Sequence, residues 1–257
     1  MINKPFCRIY RPFTEAVMRS NVGLDYMEDE RYCSERVQLI RMYKMLQAQV
    51  IDTFQYIEPV ENNKDAYSLR YHQLYWSICA EIETNFRGIL KANGYTRGDE
   101  KCWNIRSDFF KTNSALRLNG YELKSHYYEI QNCIDASRPF SAWSSMSSYT
   151  ALAWYQEHNA VKHYRSQNFN NANLKNVVTA LGGLYILLFS QFGDLVDLTT
   201  NEGATVFFVD DEPMFFGVNN KMGYNLKQKP SFSESEKYGF EWNLIKANSD
   251  SFQKFPF

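Results

Sequence analysis

Residues 173–192 read NLKNVVTALGGLYILLFSQF, and this stretch decides the class of fold. From Val177 to Phe189 it is apolar on every side for about 13 residues before Ser190, Gln191 and Asp194 intervene, whereas a membrane span needs roughly 20. Such a run is expected to be a helix buried in a protein core. Asn173 stands where an N-cap side chain accepts backbone N–H groups. Residues 149–167 place aromatic and charged side chains at helical spacing, so the two segments are expected to form a helical hairpin across the Asn-rich break 168–173.

Outward from this hairpin, the apolar positions Leu39, Tyr43, Leu46, Val50, Phe54 and Ile57 recur every three or four residues and predict one long helix over 31–58, stopped by Pro59. The same spacing through Tyr67, Tyr71, Leu74, Ile78, Ile82, Phe86 and Ile89 predicts a second over 66–92, closed by Asn93-Gly94. Between Gly94 and Gly120 the pattern weakens to loop with a short helix over 107–116. Leu123, Tyr127, Ile130 and Ile134 predict a helix over 121–136 that ends at Arg138-Pro139, followed by a serine-rich linker over 141–148. After Thr200 the β-prone runs 204–209 and 214–218, separated by Asp210-Asp211-Glu212-Pro213, predict a hairpin. The expected organisation is a mainly α helical bundle over residues 1–200 with a small strand-containing C-terminal appendage over 201–257.

The 257 residues carry 28 Lys+Arg against 29 Asp+Glu, so any polyanionic partner must be met by a local patch. With 44% hydrophobic and 16% aromatic residues the chain has the means to fill a core, which excludes intrinsic disorder. The five cysteines are irregularly spread and contain no CxxC, which reads as reduced thiols of a cytoplasmic protein. The N-terminal MINKPFCRIYRPF has no apolar region of the secretory type, and neither export nor a membrane partner is expected.

Candidate chemistry concentrates in residues 154–165, WYQEHNAVKHYR. His158 and His163 are five apart and point about 140° from each other on a helix, so no metal is expected between them. Asn159 with His163 and His158 with Lys162 share faces at i,i+4, and Arg165 lies three residues beyond Lys162. Lys162, Arg165 and, on the next helix, Lys175 make a basic surface opposed only by Glu157, suited to a phosphate backbone or simply to solvent. Glu81 and Glu83 sit about 200° apart around their helix and read as solvated or ion-paired, not as a catalytic couple. Asp210-Asp211-Glu212 lacks the spacing of a calcium loop, and Gly182-Gly183 reads as close helix packing, because no Lys-Ser/Thr follows it.

Pro139-Phe140, Trp143, Trp154-Tyr155, Asn159, Lys162-His163, Arg165, Phe169, Ala172, Leu174, Asn176, Ala180, Leu181 and Leu184 together resemble the pattern of HEPN-like helical proteins over about 139–189. Leu69 to Leu90 resembles an earlier helix of that bundle. The resemblance implies an up-and-down helical bundle that forms homodimers, a fold shared by metal-independent RNases of toxin, antiviral-defence and RNA-processing systems. Their signature is an Arg, a polar residue, three further residues and a His. Here the polar residue is Asn159 and the histidine His163, while His158 occupies the arginine position. The implied function is a cofactor-independent endoribonuclease with His163 as general acid/base, Asn159 orienting it, and Lys162, Arg165 and Lys175 holding phosphate. A partner protein of a defence or toxin–antitoxin system goes with that reading. Because His158 is a poorer phosphate clamp than a guanidinium, the alternative is a non-catalytic RNA- or partner-binding subunit.

Overall fold

A computed structural model describes residues 1–18, 24–125, 134–145, 148–193 and 224–257. Within them the protein is mainly helical with a small two-stranded antiparallel sheet. Its four longest helices are α1 (Arg36–Asp52), α2 (Leu69–Ala92), α3 (Ala153–His163) and α4 (Leu174–Phe192). α4 lies at the centre, packed against the other three. Every residue of α4 except Lys175 is buried, as the unbroken apolar run requires, and 94% of its apolar window lies inside the fold. It is a core helix. The Asn173 side chain accepts the Asn176 N–H at 3.0 Å and starts it. A Cβ on Gly183 would meet Trp154 at 3.5 Å and Pro139 at 3.6 Å, which is ordinary van der Waals contact.

α2 lines α4 with a stripe of Tyr71, Leu74, Ile78, Ile82, Phe86 and Ile89, is capped by Ser68 and ends at Gly94, whose φ of +75° an L side chain resists. α1 presents Leu39, Ile40, Tyr43, Leu46 and Val50 to the same core. The helix expected over 31–58 is shorter than its periodicity suggests. A separate turn, Glu30–Cys33, precedes α1, and a 3-10 turn, Thr53–Gln55, follows it. That first turn answers to other neighbours: Asp29 caps it, the Tyr32 hydroxyl donates to the Gln191 carbonyl, and Arg31 donates to the carbonyls of Lys246 and Asn248.

The short helix expected over 107–116 is a 3-10 turn, Phe109–Thr112, running into Asn113–Leu116. The helix expected over 121–136 is corrected at its start. β1 (Glu122–Ser125) pairs antiparallel with β2 (Tyr224–Gln228), matching Leu123 to Leu226 and joining Lys227 to Glu122 at 2.6 Å. One inward leucine satisfies a strand as well as a helix, and here a distant partner decides. Ile134–Ser137 is helical as far as the proline step. The hairpin expected over 204–218 lies outside the described residues. Downstream of it, residues 224–257 pack back on the N-terminus: the Tyr238 hydroxyl donates to the Ile9 carbonyl at 2.7 Å, and Phe13, Tyr26 and Phe240 surround its ring.

One buried charge ties these layers together. Arg8 is 4% exposed; its Nε donates to Gln191 Oε1 at 2.8 Å, its Nη2 reaches Asn85 Oδ1 at 3.4 Å, and Gln191 Nε2 donates to the same Asn85 oxygen at 3.0 Å. The guanidinium lies over Gly88, where a Cβ would stand 1.8 Å from Nη1. Gly-to-Ala in a helix ordinarily stabilises by up to about 1 kcal/mol. Gly88→Ala is expected instead to destabilise by about 1–3 kcal/mol in urea unfolding, because it displaces a buried cation from its partners. A gain in stability would refute this account.

Candidate functional site

The region singled out by sequence falls at the junction of α2 and α3. α3 is shorter than the expected helix: it ends at His163, the backbone turns away at Tyr164 (φ −136°, ψ 52°), and Arg165–Asn168 forms a separate turn. Arg165 therefore does not extend the Lys162 face.

On α3, Tyr155, Asn159 and Lys162 follow one another at helical spacing and line one wall of an open cleft of about 970 Å³. The facing wall is Glu83 and Arg87 of α2, and the rim is the connection that carries Lys101, Trp103, Asn104 and Arg106. This connection is ordered by a fully buried carboxylate. Asp108 accepts the Tyr95 hydroxyl at 2.9 Å, Arg97 Nη1 at 2.9 Å and the Asn104 N–H at 3.0 Å, while Asn104 Oδ1 accepts the N–H groups of Arg106 and Ser107 at 3.1 Å. Such side-chain-to-backbone bonds hold a loop without a ladder.

Glu83 is the only carboxylate in the described lining, and it is neutralised. Its Oε1 accepts the Tyr155 hydroxyl at 2.7 Å and its Oε2 pairs with Arg87 Nη1 at 3.2 Å. Burial and the Glu83 charge push the Tyr155 phenol far up, so it remains a donor. Glu83 is ion-paired, as its spacing suggested, and Glu81 is half-buried, with burial raising its pKa. Arg87 also lies 5.3 Å from the Phe109 ring centre. Among the described residues, Lys101, Arg106 and Lys162 are exposed cations without an ion-pair partner. The cleft is therefore net positive, with aromatic side chains in its walls.

The two histidines separate. His158 is 3% exposed, enclosed by the rings of Tyr75, Trp76 and Tyr155 at 5.4, 6.3 and 5.8 Å, and its Nδ1 has no hydrogen-bond partner among the described residues. Burial, reinforced by the Lys162 charge, lowers its pKa from 6.5 to about 4. It is neutral at physiological pH and reaches no phosphate from the cleft. His163 is exposed at the last residue of α3 and is not part of the cleft lining, so Asn159 and His163 are not brought together there. Lys175 is half-buried in the first turn of α4, where its N–H donates to the Lys64 carbonyl at 2.9 Å. Of the residues expected to act together, the structure places Asn159 and Lys162 in the cleft. Arg87, Lys101, Arg106 and Tyr155 join them, although the only local signal among these was the i,i+4 spacing of Glu83 and Arg87.

No group of three or more His, Cys, Asp or Glu side chains that would hold a metal ion occurs among the described residues. The chain matches no protein-family model, no curated protein and no solved structure.

The depressed His158 pKa has a thermodynamic consequence. Between about 6.5 and about 4 the unfolded chain binds a proton at this imidazole that the folded chain refuses, so stability falls as pH drops through that window. In His158→Gln this part of the pH dependence should vanish when urea midpoints are compared across the window. Parallel curves for the two proteins would show that His158 titrates normally.

Proposed function

We propose that the chain is a non-catalytic RNA-binding protein of HEPN-like architecture, with the cleft between α2, α3 and the 99–106 connection holding the phosphodiester backbone. The observation that carries this reading is the convergence of Lys101, Arg106 and Lys162, from two separate elements, on a cleft in whose described lining the one carboxylate is already paired. Ammonium and guanidinium groups attract a polyanion with little sequence preference, and aromatic walls offer surfaces to bases. The resemblance that suggests this reading is drawn from the residues of α3 and α4. Binding is favoured over cleavage because the arginine position holds a buried neutral imidazole, and because His163 stands outside the cleft.

Binding of a short single-stranded RNA is expected to weaken as salt rises, with log K falling by about 0.7 per log[salt] for each phosphate neutralised. Arg106→Ala combined with Lys162→Ala should weaken binding and reduce that slope by about 1.4, while Lys175→Ala leaves both unchanged. Unchanged affinity and slope in the double variant would overturn the assignment of the cleft.

A second reading, a homodimeric metal-independent endoribonuclease, rests on the exposure of His163 beside Lys162. An RNA-cleavage assay in EDTA separates the two: the binding reading expects intact RNA with wild type and with His163→Ala alike. EDTA-resistant cleavage lost only in His163→Ala would establish the enzyme.

A further inference from the structure

Trp76 is 43% exposed, whereas the other four indoles, Trp103, Trp143, Trp154 and Trp242, are 0–6% exposed. It does not stand alone. One turn earlier on α2, His72 stacks with it at 6.4 Å and an interplanar angle of 28°. Phe169 lies 5.8 Å from His72, and Tyr67, itself 54% exposed, lies 5.7 Å from Phe169. The rings form a continuous row from the N-terminal end of α2 to the edge of the cleft.

Positive charge accompanies the row. Lys162 Nζ sits 5.9 Å from the Trp76 ring centre and is also part of the cleft lining. Arg165 is close enough to His72 to add to the effect of burial in lowering its pKa. Glu157, the acidic residue of this part of α3, is bonded to the Asn171 amide. A protein-binding apolar face has no need of cations along a row of flat rings, whereas single-stranded nucleic acid meets both at once, stacking bases on rings and resting phosphates on cations.

We propose that Tyr67, His72, Trp76 and Phe169 form a base-stacking platform for single-stranded RNA leaving the cleft, with Lys162 and Arg165 holding its phosphates. This rests on the RNA-binding reading above and adds a second site to it. Lys162 is the hinge between the two sites: it faces the cleft and covers the first ring of the platform.

The test is a titration of the full chain with short oligo(A), following tryptophan emission and, separately, affinity by anisotropy of a labelled oligo(A). Wild type is expected to be quenched, since Trp76 is the one exposed indole. Trp76→Phe should lose most of the quench and keep its affinity, because a phenyl ring still stacks. Trp76→Ala, checked for folding by circular dichroism, should bind roughly five- to a hundredfold more weakly. Wild-type affinity in Trp76→Ala, with binding still lost in the Arg106→Ala, Lys162→Ala protein, overturns the platform and leaves the cleft standing. Absence of oligo(A) binding by wild type overturns both. If Trp76→Ala does not fold, an undiminished quench in Trp76→Phe overturns the platform by itself.

Discussion

A helix with no solvent-facing side must be enclosed on all sides, and everything else in this protein follows from enclosing α4. Burying Leu, Ile, Val and Phe side chains contributes roughly 1.5–3 kcal/mol each, so the central helix supplies much of the driving force for the fold. It does so only if its few polar groups find partners. Ser190 at its C-terminal end is met by Leu187 of the same helix, and Gln191 by Asn85, Arg8 and Tyr32, drawn from three other parts of the chain. The cation of Arg8 is the cost of closing this end, and Asn85, Gln191 and the Glu35 carboxylate, 3.7 Å from Nη1, offset it. The N-terminal segment and α2 are thereby locked to the same end of α4.

The other end of the bundle is arranged by smaller constraints. α3 is anchored to α2 by the Tyr75 hydroxyl, which donates to the Trp154 carbonyl, and by Tyr155 on Glu83. These bonds set the rotation of α3 about its axis. His158 is turned into the aromatic interior, and Asn159 and Lys162 are left on the open side. A neutral imidazole fits at position 158 among three rings, where an unpaired guanidinium would be heavily penalised. The same packing that buries His158 leaves Lys162 exposed beside the cleft.

Loops decide the electrostatics of that surface. Lys101 and Arg106 belong to a segment with neither helical nor strand periodicity, held by one buried aspartate whose oxygens accept three donors. A fully buried carboxylate is tolerated because its charge is paired with Arg97 and both of its oxygens accept donors, and the result is an ordered rim for the cleft.

The sequence alone determined the parts of this protein that depend on local periodicity. The apolar run over 177–189 specified a core helix, Asn173 its start, the stripe from Tyr71 to Ile89 the partner helix, and Asn93-Gly94 its end. Of the candidate site, Asn159 and Lys162 were legible as polar positions of one helix, but the spacing paired them with His163 and His158 instead of with each other. Tertiary structure decided what periodicity leaves open. Leu123 joined a strand because Leu226, about a hundred residues later, was there to pair with it. α3 stopped at His163 and detached Arg165, rotation about the α3 axis hid His158, and the end of the helix left His163 beyond the cleft that Asn159 lines. A helical wheel gives relative angles along one helix and has no knowledge of which angle faces the core. That angle is set by partners distant in sequence, and so the cleft, its rim and the row of rings beside it exist only in the folded chain.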